Sequence, residues 1–89
     1  MLMKKTTADF SMPAEINPSE IVDLRGLEAP EPIVRILTAC TQMDADEHYV
    51  VHLPHVPSPL FPHLASRGLA WQVYEQVDDS ALVVIRRST

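Results

Sequence analysis

The eight prolines most constrain what this chain can fold into, because they confine regular structure to the segments between them. Proline fixes φ and has no N–H to donate, so it suits the first turn of a helix but not its interior. Residues 1–19 have no sustained apolar period and are predicted to form a flexible arm, with the folded domain at 20–89. The prolines fall in three groups: Pro13 and Pro18; Pro30 and Pro32; and Pro54, Pro57, Pro59 and Pro62.

Two helices are predicted to follow the second and third proline groups. Apolar residues recur at helical spacing after the second group, which predicts a helix over about 31–43. Ser58 has the character of an N-cap before Pro59, and a shorter helix is predicted from there to Gly68, a C-terminal stop. Gly26, in the turn before the first helix, suits a positive φ.

Four runs of β-branched and apolar residues predict strands, at 21–24, 48–53, 71–75 and 82–85. The order β-α-β-α-β-β predicts an α/β fold of the α+β two-layer type. It would have a four-stranded mixed sheet and two helices on one face. The last strand is apolar on both sides, so a protein partner or a second copy is expected to cover the open face. Trp71 is assigned to the core, and Tyr74 and Gln72 to this possible interface.

Composition excludes some classes of partner. Twelve acidic against seven basic residues give a net charge of −5, which disfavours nucleic acid. No stretch approaches the roughly 20 apolar residues that a membrane span needs. The single cysteine, Cys40, fits a reducing compartment, so a cytoplasmic location is expected.

The segment before the first predicted helix resembles the signature of the TusA/SirA-like sulfur-carrier proteins. In that family a strand and a glycine turn lead to Cys-Pro-x-Pro at the helix start, and the cysteine carries sulfur as a persulfide. Here Ala29 stands in the place of that cysteine, so the resemblance implies a carrier fold without its carrier group. The motif residues are Asp23, Arg25, Gly26, Leu27, Ala29, Pro30 and Pro32.

A second segment resembles a cysteine-lacking branch of the same superfamily, a domain of unknown function often found near redox-related modules. Members tend to carry His-x-Pro-x-Pro-Leu before the second helix. The matching residues, His55, Pro57, Pro59 and Leu60, are the candidate binding loop.

The remaining candidates are histidines and the cysteine. His52, His55 and His63 lie close in sequence and are a candidate metal or haem site, although their spacing does not enforce convergence. Cys40 shares the apolar face of the first helix and is predicted to be buried; a role as sulfur carrier requires it to be exposed. No catalytic constellation is recognisable, so no enzyme activity is expected.

The first interpretation is therefore a non-catalytic binding or regulatory module, related through the resemblance to sulfur or redox metabolism. The alternatives are a metal- or haem-binding domain that uses the three histidines, and a sulfur carrier that acts through Cys40. No resident cofactor is predicted under the first interpretation.

Overall fold

The structure is a computed structural model that describes residues 16–87, so most of the predicted N-terminal arm lies outside the described residues. Single 3₁₀ turns at Pro18–Glu20 and Ser58–Leu60 precede the first strand and the second helix. The strands and helices are β1 (Val22–Asp23), α1 (Glu31–Cys40), β2 (His48–Leu53), α2 (Phe61–Ser66), β3 (Leu69–Glu75) and β4 (Ala81–Arg87).

The four strands form one mixed sheet in the order β1-β2-β4-β3. β1 is parallel to β2, and the other two pairs are antiparallel. The only parallel pair is joined through α1, as expected, since parallel neighbours need a crossover connection. The predicted fold class and element order are therefore confirmed.

Both helices pack on one face of the sheet. Alternate residues of β2 and β4, among them Val51 and Ile85, meet Ile36 of α1 and Leu64 of α2 in the main core. These four side chains are fully buried. None of the helices within residues 16–87 is long and apolar enough to cross a membrane.

α1 ends at Cys40, three residues before the predicted end. The N–H of Gln42 donates to the carbonyl of Ala39, so the last turn tightens and the helix does not continue. The Arg87 guanidinium of β4 then donates to the carbonyl oxygen of Met43 at 2.9 and 3.1 Å. Met43 stays in the core although it lies beyond the helix.

The predicted start of α2 was wrong in detail. Ser58 does not act as an N-cap but is the first residue of the 3₁₀ turn, and α2 follows directly from Phe61. Gly68 has the expected left-handed conformation, with φ 70°. Gly26 does not have a positive φ, so that expectation was also wrong.

The second face of the sheet is not bare. Val50 and Val84, at 1% and 2% exposure, form a small second core with Ile16, which is 2% exposed. Ile21 and Tyr74 pack at its margin. Residue 16 belongs to the segment predicted to be a flexible arm, and its burial follows from the apolar side chains that β2 and β4 present on this face.

Candidate functional site

An apolar pocket of about 200 Å³ lies between the start of α1 and the loop that follows β2. We call it the proline pocket, because five of its lining residues are prolines. Pro30 and Pro32 come from the α1 side, and Pro54, Pro57 and Pro59 from the loop. The other lining residues are Leu27, Ala29, Ile33, Leu53 and His55.

The α1 side of the pocket is built from the first sequence motif. Pro32 lies in the first helical turn, where its missing N–H removes no intrahelical bond. The Ala29–Pro30 peptide bond is cis. Ala29 is exposed and lines the pocket with its methyl group. The position that resembles the carrier cysteine therefore contributes only apolar surface.

The loop side of the pocket is built from the second motif. His55, Pro57 and Pro59 of the candidate binding loop line the pocket together with Pro54. Leu60, the fourth residue of that candidate loop, is fully buried in the main core and is not part of the lining. His55 is exposed and is the one titratable side chain among the lining residues.

Asp23 and Arg25 of the first motif lie outside the pocket and form an exposed ion pair. The guanidinium donates to both carboxylate oxygens at 2.9 Å, and the Arg25 N–H donates to Oδ1 at 3.1 Å. Arg25 holds the pKa of the Asp23 carboxyl well below its usual range, mainly through the side-chain hydrogen bond. The pair lies in the turn before α1, beside His52, the register partner of Asp23 on β2. An exposed pair of this kind contributes little to stability.

The three histidines of the proposed metal or haem site do not converge. His52 lies on the second face of the sheet, whereas His55 lines the proline pocket on the helix side and His63 is exposed on α2. Within residues 16–87, no three side chains of histidine, cysteine, aspartate or glutamate are grouped so that they could hold a metal ion. That expectation was wrong because strand alternation turns His52 away from the loop.

His52 instead belongs to a hydrogen-bonded chain that the sequence did not reveal. Its Nε2 lies 2.8 Å from the Ser80 hydroxyl, which donates to Asp78 at 2.5 Å. Since the single hydroxyl hydrogen of Ser80 goes to Asp78, Nε2 must be the donor in the first bond. A nucleophilic serine needs a histidine that accepts its proton, and Ser80 is only 3% exposed, so this is not a catalytic triad.

The histidine chain also has an electrostatic consequence. Burial, followed by the nearby Arg25 charge, lowers the pKa of His52. The Ser80 hydroxyl lowers the pKa of Asp78. A neutral imidazole that donates to Ser80 and an ionised Asp78 that accepts from it are therefore both favoured, and the chain ties the β3–β4 turn to β2.

Cys40 is 2% exposed and packs in the main core. Burial raises the pKa of its thiol, which disfavours the reactive thiolate. The exposure that the sulfur-carrier alternative requires is absent from this structure.

The two residues assigned to an interface lie on the second face of the sheet. Gln72 is exposed, and Tyr74 is half-buried against Val50 and Val84. Trp71 points to the helix side, where it stacks on Phe61 with 5.1 Å between ring centroids. The predicted sides of Trp71 and Tyr74 agree with the structure, whereas binding of a partner on this face stays a prediction.

The fold and the pocket define a small α+β sandwich domain with an apolar pocket that is built from two sequence motifs. Residues 21–87 match the family described as "Uncharacterized conserved protein (DUF2249)", and the chain belongs to that family. No curated protein and no solved structure matches the chain significantly.

Proposed function

We propose that this chain is a non-catalytic, TusA/SirA-like binding module whose proline pocket receives one apolar side chain of a partner protein. The element order and the first motif support the relation to the sulfur carriers, and through it a role related to sulfur or redox metabolism. Ala29 in the place of the carrier cysteine supports binding in place of sulfur transfer.

One observation carries the proposal: two motifs separated by more than twenty residues of sequence line the same apolar pocket. A volume of about 200 Å³ is below the roughly 300–1,000 Å³ of pockets that hold drug-sized ligands, and it suits a single large side chain. Anchor side chains in such pockets dominate protein interfaces. The prolines fix the backbone of both walls, so little conformational entropy is lost on binding.

Charge around the pocket indicates which partner would be favoured. Glu28 lies between two lining residues, is exposed, and forms no ion pair with the described residues. Glu31 is exposed at the start of α1 and is paired with Arg35. The net charge of −5 would favour a partner segment with basic residues on both sides of the apolar side chain that enters the pocket.

The pocket lining does not support catalysis. His55 is its one titratable group, and neither a nucleophile nor a second acid or base accompanies it in the lining. A general base acts by removing a proton from a reacting group, and the lining offers no second side chain to take part in such a reaction. Binding without chemistry is therefore the function that the pocket supports best.

The test uses blocked pentapeptides Lys-Lys-Xaa-Lys-Lys as probes, with Leu, Phe or Ala at the centre. Methyl NMR signals of Leu27, Ile33 and Leu53 should shift and saturate with the Leu and Phe peptides, and stay in place with the Ala peptide. Ala29→Leu should fill the pocket and remove these shifts. Ala45→Leu, at an exposed loop position away from the pocket, should keep them.

Several outcomes would contradict the proposal. No shift at the three methyl groups, or equal shifts with the Ala peptide, would show that the pocket does not receive a side chain. Equally tight binding of N-acetylleucine amide, which carries no charge, would assign the pocket to a small apolar ligand. Persistence of the shifts in Ala29→Leu would place binding elsewhere.

A further inference from the structure

β3 is the longest edge strand among the described residues, and it has none of the sequence features that usually prevent an edge strand from pairing with another chain. The strand order places β3 at the end of the sheet, next to β4 alone. Natural edge strands are blunted with lysine, proline or a bulge, because their free N–H and C=O groups pair readily with another strand. Leu69–Glu75 contains no proline, glycine or basic residue, and its one charge is at Glu75.

The register shows which backbone groups point outward from this edge. Next to the β3–β4 turn, the N–H of Gln76 donates to the carbonyl of Ser80 at 2.8 Å. Hydrogen-bonded and non-bonded pairs alternate along an antiparallel ladder. Tyr74 with Leu82 and Gln72 with Val84 are therefore the bonded pairs along the same ladder.

The intervening residues of β3 direct their N–H and C=O groups away from β4. Among the described residues no strand pairs with this outer side. The edge therefore offers a row of alternating donors and acceptors, from Leu69, Trp71, Val73 and Glu75.

We propose that the β3 edges of two copies of this chain pair antiparallel about a two-fold axis at Gln72. In this register Trp71 faces Val73 of the second copy, and Leu69 faces Glu75. Every outward residue meets an outward residue, so all the exposed backbone groups of both edges are satisfied. The two sheets would become one sheet of eight strands, with all four helices on the same face.

The side chains also fit self-pairing. Trp71 and Val73 are both half-buried on the helix side, so the two-fold axis produces two identical aromatic–β-branched pairs. Stacking on Phe61, nearly parallel at 10°, holds the Trp71 ring in place before association. On the other face Ala70 meets Tyr74, and Gln72 meets its own copy.

A second copy is favoured over an unrelated strand because this register places no like charges opposite each other. The single charge of the strand, at Glu75, meets the apolar Leu69. Chains of this length bury a smaller fraction of their surface on folding than larger domains do, so they gain more from added burial. The net charge of −5 on each copy opposes association, so added salt should strengthen it.

The first experiment is sedimentation equilibrium of the full chain up to about 1 mM, since an interface of this size is expected to be weak. The mass should rise from one chain to two with concentration. Gln72→Lys and Gln72→Glu each place like charges across the axis and should remain monomeric. An equimolar mixture of the two variants should recover the dimer.

Gln42→Lys is the matched control, because it makes the same change at an exposed position beyond α1. It should dimerise like the wild type. A wild type that is monomeric throughout, or a Gln72→Lys variant that dimerises normally, would overturn the proposal. So would a mixture that fails to recover the dimer.

Amide hydrogen exchange gives a second, residue-specific readout. The N–H groups of Trp71 and Val73 should become protected as concentration rises, whereas that of Gln72, bonded to β4, should be protected at every concentration. Protection of Trp71 and Val73 in a protein of monomer mass would show that the chain itself covers this edge, and would overturn the proposal.

Discussion

The two faces of the sheet are formed by the same strands but differ in chemistry: the helix side is apolar, whereas the second face also carries hydrogen-bonded polar groups. Residues Val50 and Val51 are adjacent on β2, yet Val51 packs under both helices and Val50 lies in the small cluster with Ile16. The helix side combines a large apolar core with the apolar proline pocket at its end. The second face surrounds a few apolar residues with hydrogen-bonded polar groups.

This difference explains which side chains are available for binding. On the second face His48 is 2.6 Å from Glu20, His52 bonds Ser80, and Asp23 is paired with Arg25. These groups already have partners, which makes them poor ligands for anything else. The proline pocket has no such network, so its surface gains most from a new apolar contact.

The largest expected effect comes from truncating one buried isoleucine on each face, which tests whether the two faces contribute equally to stability. Ile36→Ala should lower the free energy of unfolding by about 3 kcal/mol, because it opens a cavity under both helices. Ile16→Ala should cost only about 1 kcal/mol, although Ile16 is almost as buried, because the segment before β1 can detach from the sheet without global unfolding. Urea denaturation of both variants measures the difference.

Equal losses of unfolding free energy in the two variants would show that the two faces contribute equally to stability. The second face would then belong to the same cooperative unit as the main core. A smaller m-value for Ile16→Ala than for the wild type would instead show that the segment is already detached in the variant's native state.

The second prediction concerns the pH dependence that the second face introduces. The pKa of His52 is lowered in the folded state from an ordinary value of 6.5. As the pH falls below 6.5, the unfolded chain binds a proton at this site before the folded chain does, and stability decreases until the folded pKa is passed. Stability from the neutral His52 is therefore complete above pH 6.5 and is lost on acidification.

His52→Gln should reduce this loss, because glutamine can still donate to Ser80 but does not titrate. The readout is the change in unfolding free energy between about pH 8 and pH 5.5, so that the constant cost of the substitution cancels. An unchanged pH dependence of the unfolding free energy in His52→Gln would show that another group causes it and that His52 does not.

The sequence predicted local features well and distant contacts poorly. Helical and strand periodicity gave the element order, and strand alternation placed Trp71 and Tyr74 on opposite faces. The end of α1 was missed because the residues that follow Cys40 are held by Arg87, which donates to the carbonyl of Met43 from 44 residues away. The partnership of His52 with Ser80 spans 28 residues and has no local signal.

The candidate site shows the same division. Both motifs were recognised as separate segments, but their meeting in one pocket depends on how the sheet places the end of β2 beside the start of α1. His55 was singled out from the sequence and lines the pocket, whereas its grouping with His52 ignored the turn of alternate strand residues to opposite faces. Leu60 is part of the second motif, but its side chain is fully buried in the main core and a ligand in the pocket cannot contact it.

The smallest expected effect concerns the ion pair at the border of the second face. Arg25→Gln should leave the free energy of unfolding close to that of the wild type, because both partners are about half exposed and water screens the pair. The same substitution should raise the pKa of Asp23 toward its ordinary value of 3.8, measured by carboxyl NMR. The rise should be incomplete, since the backbone N–H of residue 25 still donates to the carboxylate.

A full return of the Asp23 pKa to 3.8 would show that the turn opens without the guanidinium. The polar border would then hold the turn before α1 in place, and the proline pocket beyond it would depend on the second face.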